Sequence, residues 1–354
     1  MKQKLARLRE KRLAKKEQQE AALIPKITNE NVAEHREEIL SGARKYIYPL
    51  QHSKHRIVIL TTSLVVATIL IFAASTVYLL YRKQTSSSFM YQVSKVIPYP
   101  VARTGNTFIA YENYLFELRH YIHYYETQQK LSFETEAGQD QLAAYKKRAL
   151  QDVVDLAYTK MIAREKGISV SPAEIDDQIR IAKEQKRLGS SEAIFEDVLR
   201  EYWDWSVDDF RRSLSNELLI QKVTRALDAE TEQKATEALA KLTAGNDFGE
   251  VAKEYSDEAS TKDNGGDFGD VDATNRTVSQ QTVDTLTHLE QGQISQVKVI
   301  PYETGYALEI VKNIEKKGNG AHGAHIIFKL KDLEATLNDR KEAQPYRLYV
   351  KLPD

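Results

Sequence analysis

Residues 57–81 carry no charged side chain, and this run constrains the chain's fold more than any other feature. As a helix rising ~1.5 Å per residue it exceeds the ~30 Å hydrocarbon core of a bilayer. A transmembrane helix is therefore expected over 57–81. A cleaved signal peptide needs a short basic leader and an apolar core of only ~7 to 15 residues, whereas a long polar segment precedes this run. The first twenty residues hold five Lys and three Arg against three Glu, and Lys54 and Arg56 lie on the same side; only Arg82 and Lys83 flank the other. That bias predicts a single-pass protein of the plasma membrane with its N-terminus in the cytoplasm and its larger C-terminal part outside. With no cysteine in the chain, the exported part is expected to rely on packing and not on disulfides.

The whole chain is balanced, with 50 basic and 51 acidic residues and a formal charge of -1, which argues against a nucleic-acid binder. Residues 1–56 read as a basic cytoplasmic segment; a solvated charged helix at its start outweighs contact with anionic lipid or RNA. Gln84 to Ser88, followed by Pro98 and Pro100, reads as a linker over 82–101. Beyond it, apolar residues at helical spacing predict helices over 106–129 and 142–166, the second stopped by Gly167. Ser171-Pro172 with Glu174 opens a third, Ser190 or Ser191 a fourth, and Ser206 with Asp208 and Asp209 a fifth that runs to Leu227. No comparable strand signal lies between Asn106 and Leu227. Helices then follow over 230–244 and 248–255 and, more weakly, 282–289. Strand patterns cover 297–300 and 306–313, and 346–352 alternates like an edge strand.

Four short motifs stand in order: Asp247-Phe248, Tyr255-Ser256-Asp257, Gly265-Gly266-Asp267-Phe268-Gly269 and Gly292-Gln293-Ile294-Ser295. The paired glycines mark a turn with positive φ. Together the motifs resemble the parvulin family of peptidyl-prolyl isomerases. The preceding helices, with Gly105-Asn106 before Tyr111-Glu112 and the segment Glu165 to Ser171, resemble the chaperone domain of SurA-, PpiD- and PrsA-type foldases. The resemblance implies an α+β chain: one transmembrane helix, an all-α SurA-N-like domain over 102–229, and an antiparallel parvulin-like sheet with helices over 230–330. A C-terminal extension fills 331–354.

The family's first strand, which bears a histidine, is missing before the first helix. A matching segment, Ala321 to Lys329, stands instead after the last strand, with His325 as its histidine. A hairpin through Lys316 to Gly320 would return this strand to its usual slot, giving a circularly permuted sheet. The alternative is a truncated second repeat beginning at His325.

The family's active site implies His325, Glu258 and Ser256 as catalytic residues and Val278, Thr282 and Leu286 as walls of a proline pocket, with Val283 as a further option. The second family histidine falls on Ala307, and a polar Thr282 suits a proline pocket poorly. The carry-over is partial and implies weak or absent turnover. The resemblance implies unfolded or newly exported polypeptides as clients, beside the bilayer, and no cofactor. His120 with His123, and His322 with His325, have spacings seen in metal sites but no third ligand, so no metal is expected. Isomerase and non-catalytic holdase or assembly scaffold remain the two functional readings.

Overall fold

The computed structural model describes residues 2–23, 28–47, 49–184, 191–272, 274–275 and 277–351. Ser190, one of the two expected caps, and Leu352, the end of the expected edge strand, lie outside the described residues. Two units separate, residues 1–77 and 78–354. The first contains α1 (Lys2–Leu23), α2 (Asn29–Ile47) and α3 (Pro49–Val77). A stretch of 27 residues, Arg56–Arg82, has mean hydropathy 2.6 and is long and apolar enough to cross a membrane. Within it, the hydroxyls of Thr61 and Thr68 donate to the carbonyls of Ile57 and Leu64, both at 2.9 Å, so these polar groups find partners inside their own helix.

The second unit starts with a π-helical turn, Tyr78–Arg82, then α4 (Ser88–Val96), β1 (Pro100–Thr104) and β2 (Thr107–Ala110). Residues 82–101 are thus structured, in contrast to the expected linker. Ser87 caps α4 by accepting from the Met90 amide, and Met90, Tyr91 and Ser94 are buried. The helix is too short for its apolar face to show a period. β1 and β2 form a hairpin that takes the first residues of the expected 106–129 helix, so α5 (Tyr111–Thr127) begins later.

Helices α7 (Pro172–Glu184), α8 (Glu192–Trp203) and α9 (Val207–Leu227) follow the sequence expectations, and α6 (Glu136–Lys166) ends where expected but starts before residue 142, at a Thr135 cap. Gly167 ends α6 at φ 67°. Ser191 caps α8, and Ser206 and Asp209 close a reciprocal capping box on α9. Tyr111, Tyr114, Leu115, Leu118, Val153, Val154 and Tyr158 fill the main helical core. Trp205 stacks on Phe116 at 5.3 Å between ring centres.

The chain then builds a second layer: α10 (Ala229–Thr243), α11 (Phe248–Tyr255), α12 (Ala259–Lys262), β3 (Asp267–Val271), α13 (Gln280–His288), β4 (Lys298–Tyr302), β5 (Gly305–Lys317) and β6 (Gly320–Lys329). All neighbours are antiparallel in the order β3-β6-β5-β4. The pairing of Leu308 with Phe328 and Val311 with His325 is what the displaced-strand reading requires. A two-residue turn at Gly318-Asn319 makes the hairpin, with Gly318 at φ 56°. Leu308, Ile310, Ala324, Ile326 and Phe328 pack on α10 and α11, leaving Ala307, Glu309, Val311, His325 and Ile327 on the opposite face with α13.

After β6 the chain returns to the first core. α14 (Leu333–Ala343) lays Leu337 against it, and β7 (Tyr346–Leu348) pairs with β1, giving a small sheet of order β2-β1-β7. The expected edge strand therefore joins the helical part and not the isomerase-like sheet. Tyr158 donates to the Gln344 carbonyl at 2.5 Å and Arg340 pairs with Glu165 at 2.6 Å. The α10–β6 layer is thus inserted between two pieces of one helical body.

Its exit and return are joined by Asp228. This buried carboxylate caps α10 through the Thr231 amide, accepts from the Thr231 hydroxyl at 2.8 Å, and accepts from the Lys331 amide at 2.9 Å. Asp228→Ala removes a cap and orphans a second backbone donor. It is expected to cost about 2–3 kcal/mol in chemical denaturation, with Asp228→Asn recovering part of the loss. A loss no larger than that of an ordinary exposed cap, ~1 kcal/mol, would refute the joining role.

Candidate active site

The Tyr-Ser-Asp motif supplies strand-like bonds where β3 ends. The Asp257 amide donates to the Ile327 carbonyl at 2.7 Å, the Ser256 hydroxyl accepts from the Ile327 amide at 3.2 Å, and the Asp257 carboxylate accepts from the Lys329 amide at 2.9 Å. Ser256 also receives the Glu258 amide at 3.4 Å. These contacts hold the outer half of β6 and set Glu258 over His325. Likewise, the Gly292–Ser295 turn clips onto β5, with the Ser295 hydroxyl accepting from the Val311 amide at 2.9 Å. Gly266, at φ 81°, passes so close to β6 that its carbonyl accepts the His325 amide at 2.8 Å.

His325 is buried and held from both sides. Its Nδ1 lies 2.8 Å from Glu309 Oε1 and its Nε2 lies 2.5 Å from Glu258 Oε2. The network extends outward at both ends. Glu258 accepts from Thr261 at 2.6 Å and from the Tyr302 hydroxyl at 3.2 Å, while Glu309 accepts from Thr282 at 2.7 Å, which meets Ser279 at 2.7 Å. The Phe268 ring covers the imidazole, with centres 4.7 Å apart.

Burial by itself would push the His325 imidazole down, but its hydrogen bonds to Glu258 and Glu309 outweigh that and lift it to about 9. The same contact with His325, reinforced by Thr261 and Tyr302 against a burial cost, holds Glu258 down at about 2. At neutral pH His325 is therefore an imidazolium paired with the ionised Glu258.

Of the residues expected to be catalytic, His325 and Glu258 touch directly. Ser256 lies one step away, engaged with backbone amides. Of the expected pocket walls, Thr282 and Leu286 are fully buried; Thr282 is spent on Glu309, and Leu286 packs with Val271, Val311 and Ala321. Val283 is buried too. Val278 alone of the four is half-exposed.

Ala307 packs against Ile300 and Ile327 and offers nothing polar. The second partner of His325 is Glu309, two residues further along the same strand face, which the sequence reading did not select. The available signal was a lone carboxylate within the apolar run Ala307-Leu308-Glu309-Ile310-Val311. The other histidines singled out by their spacing have contacts of their own: His120 stacks on Trp205 at 4.7 Å, His123 meets the Glu201 carbonyl at 2.7 Å, and His322 lies between Asp267 and Asp270.

Comparison with known proteins identifies two domains in the chain. A family described as SurA-like N-terminal domain matches residues 50–224, and one described as PPIC-type PPIase domain matches residues 218–315. The second match stops before the strand that carries His325. Foldase protein PrsA of Pediococcus pentosaceus is 32% identical over 91 residues, 26% of this chain and 30% of the relative. Foldase protein PrsA of Clostridium kluyveri is 34% identical over 87 residues, 25% of this chain and 24% of its own. Foldase protein PrsA 1 of Lactobacillus johnsonii is 24% identical over 216 residues, 54% of this chain and 66% of the relative. The chain spans less than two thirds of the length of each of these relatives. It therefore carries a SurA-like N-terminal domain followed by a parvulin-type PPIase domain, and PrsA foldases are its homologues.

Proposed function

We propose that this chain is a membrane-anchored foldase that accelerates cis-trans isomerisation of X-Pro bonds in unfolded polypeptides outside the cytoplasm. Residues 230–330 form the isomerase domain, inserted into a helical chaperone domain. The apolar helix is the single-pass anchor, with the N-terminus on the cytoplasmic side of the plasma membrane. The observation that carries the reading is the buried Glu258–His325–Glu309 cluster, set on one face of the sheet by the parvulin-type motifs.

Rotation about an X-Pro bond faces ~18–20 kcal/mol because the planar amide shares electrons between oxygen and nitrogen. Planarity places negative charge on the carbonyl oxygen, and twisting withdraws it. An ionised carboxylate facing that oxygen disfavours the planar state, and exclusion of water strengthens the effect. Glu258 is the acidic member of the cluster that reaches solvent, with 17% side-chain exposure against 1% for Glu309. In this reading it acts on the substrate, His325 positions it, Ser256 fixes its backbone, and Tyr302 orients its second oxygen.

NMR exchange on a proline tetrapeptide with the full chain tests this. Acceleration is expected, with Glu258→Gln lowering kcat/KM about tenfold or more. No acceleration by folded protein would select the second reading, a holdase that keeps the fold without turnover. Two observations favour that reading: Ala307 stands where a second histidine was expected, and Thr282 is withdrawn from any open pocket.

A further inference from the structure

With Thr282 and Leu286 buried, the sheet and α13 leave the proline ring little of the expected wall, yet Val278 still faces an opening. That opening is a cavity of about 390 Å³ whose other side comes from the helical part. Ile181 of α7 and Phe210 and Leu214 of α9 face Val278, Ser279 and Pro301 across it. Its volume falls in the range of small-ligand sites, roughly 300–1,000 Å³. Hydrogen bonds link it to the candidate active site, because Ser279 is the outer end of the chain through Thr282 and Glu309 to His325.

The two walls are held together and the apolar one is braced. Tyr306 of β5 donates to Glu217 of α9 at 2.7 Å, and Arg180 of α7 reaches Asp284 of α13 at 3.9 Å. Phe210 meets fully buried Phe195 edge-on at 5.5 Å. Among the described residues, no Asp, Glu, Lys or Arg lines the cavity; its polar part includes the amides of Gln178 and Gln281. A separate groove of about 630 Å³ beside Tyr91 and Trp205 differs in being rimmed by Lys95, Arg119, Arg200 and Asp208. A cleft whose described lining is apolar walls and side-chain amides matches one chemistry: an extended polypeptide segment without charge, whose backbone is met by amides and whose proline ring and apolar neighbours are met by the walls.

We infer that the prolyl segment is received in this composite cleft, and that Ile181, Phe210 and Leu214 are specificity-determining residues contributed by the helical part. The inference rests on the isomerase reading above. It makes the helical part a wall of the substrate site and assigns it the preference for uncharged sequence around the proline.

The test uses the full chain in detergent micelles, with exchange rates measured on a neutral proline tetrapeptide and on one bearing lysine next to the proline. Leu214→Ala is expected to raise KM for the neutral peptide about tenfold with kcat little changed. Gln281→Glu adds a charge at the rim without shrinking any side chain, and is expected to shift preference toward the lysine peptide about fivefold. Thermal unfolding checks that both variants remain folded. If His325→Ala and Glu258→Gln lower turnover while Leu214→Ala and Gln281→Glu leave KM and peptide preference as in the parent, the cleft is overturned and the isomerase reading stands. If the folded parent gives no turnover, the isomerase reading fails and the cleft falls with it.

Discussion

His325→Ala is expected to lower the stability of the chain at neutral pH by about 3–5 kcal/mol in urea denaturation. The loss exceeds what the missing ring volume alone would give, because His325 bonds Glu258 and Glu309 at once and its removal leaves Glu309, 1% exposed, buried without that partner. The same cluster makes stability depend on pH with a definite sign. His325 titrates at about 9 in the folded chain against an ordinary value of 6.5, so its contribution is complete below about pH 6.5 and lost as pH rises through 9. A shift of this size corresponds to stability on the order of 3 kcal/mol. Glu258, held at about 2, contributes in the opposite sense: fully above about pH 4.5, and lost as pH falls through 2. Stability from the cluster should therefore peak between about pH 4.5 and 6.5. The alkaline decline should vanish in His325→Ala, and equal slopes for the two proteins between about pH 7 and 9 would sink the account.

Gly266→Ala is expected to cost at least about 3 kcal/mol, for a reason unrelated to charge. A β-carbon there would stand 2.2 Å from the His325 carbonyl oxygen, and the backbone at φ 81° already disfavours one. Backbone must move, and it is the backbone that ties the start of β3 to β6. Gly269 is the natural control. Its φ of 87° carries a comparable conformational penalty, but a β-carbon would meet nothing within 4 Å, so Gly269→Ala should cost only ~1 kcal/mol. Similar losses in the two variants, compared by urea midpoint, would remove the close approach as the explanation.

These residues also show where sequence is legible and where it is not. Gly265-Gly266 announced its turn because positive φ restricts residue choice, and Ser191 and Ser206 announced helix starts because a cap needs a side-chain acceptor. The pairing of His325's strand with β5 was readable from a short hairpin and an apolar pattern together. β1 and β2 were not readable: a four-residue strand beside a five-residue one has too little pattern to compete with the helical spacing that follows. The same holds for α4. Glu309 was missed for a different reason. Its importance lies in a diagonal contact across two strands, and register is a tertiary property that an alternating strand pattern leaves open. Thr282 and Leu286 were placed on the correct helix, but its rotation toward the sheet, which buries both, is set by packing against β5 and β6.

The position of β6 has a consequence for how the chain acquires structure as it emerges during synthesis. One of the two interior strands of the four-stranded sheet, β6, is the last of the four in the sequence, so β3 and β5 wait with unpaired edges until about residue 329 has appeared. The helical body waits longer still, because β7 and Val350 complete its small sheet and core from beyond the insertion. Until then the nascent chain presents open strand edges, which are vulnerable to wrong partners. Its own synthesis thus exposes the same kind of unpaired edge that a proposed client would present.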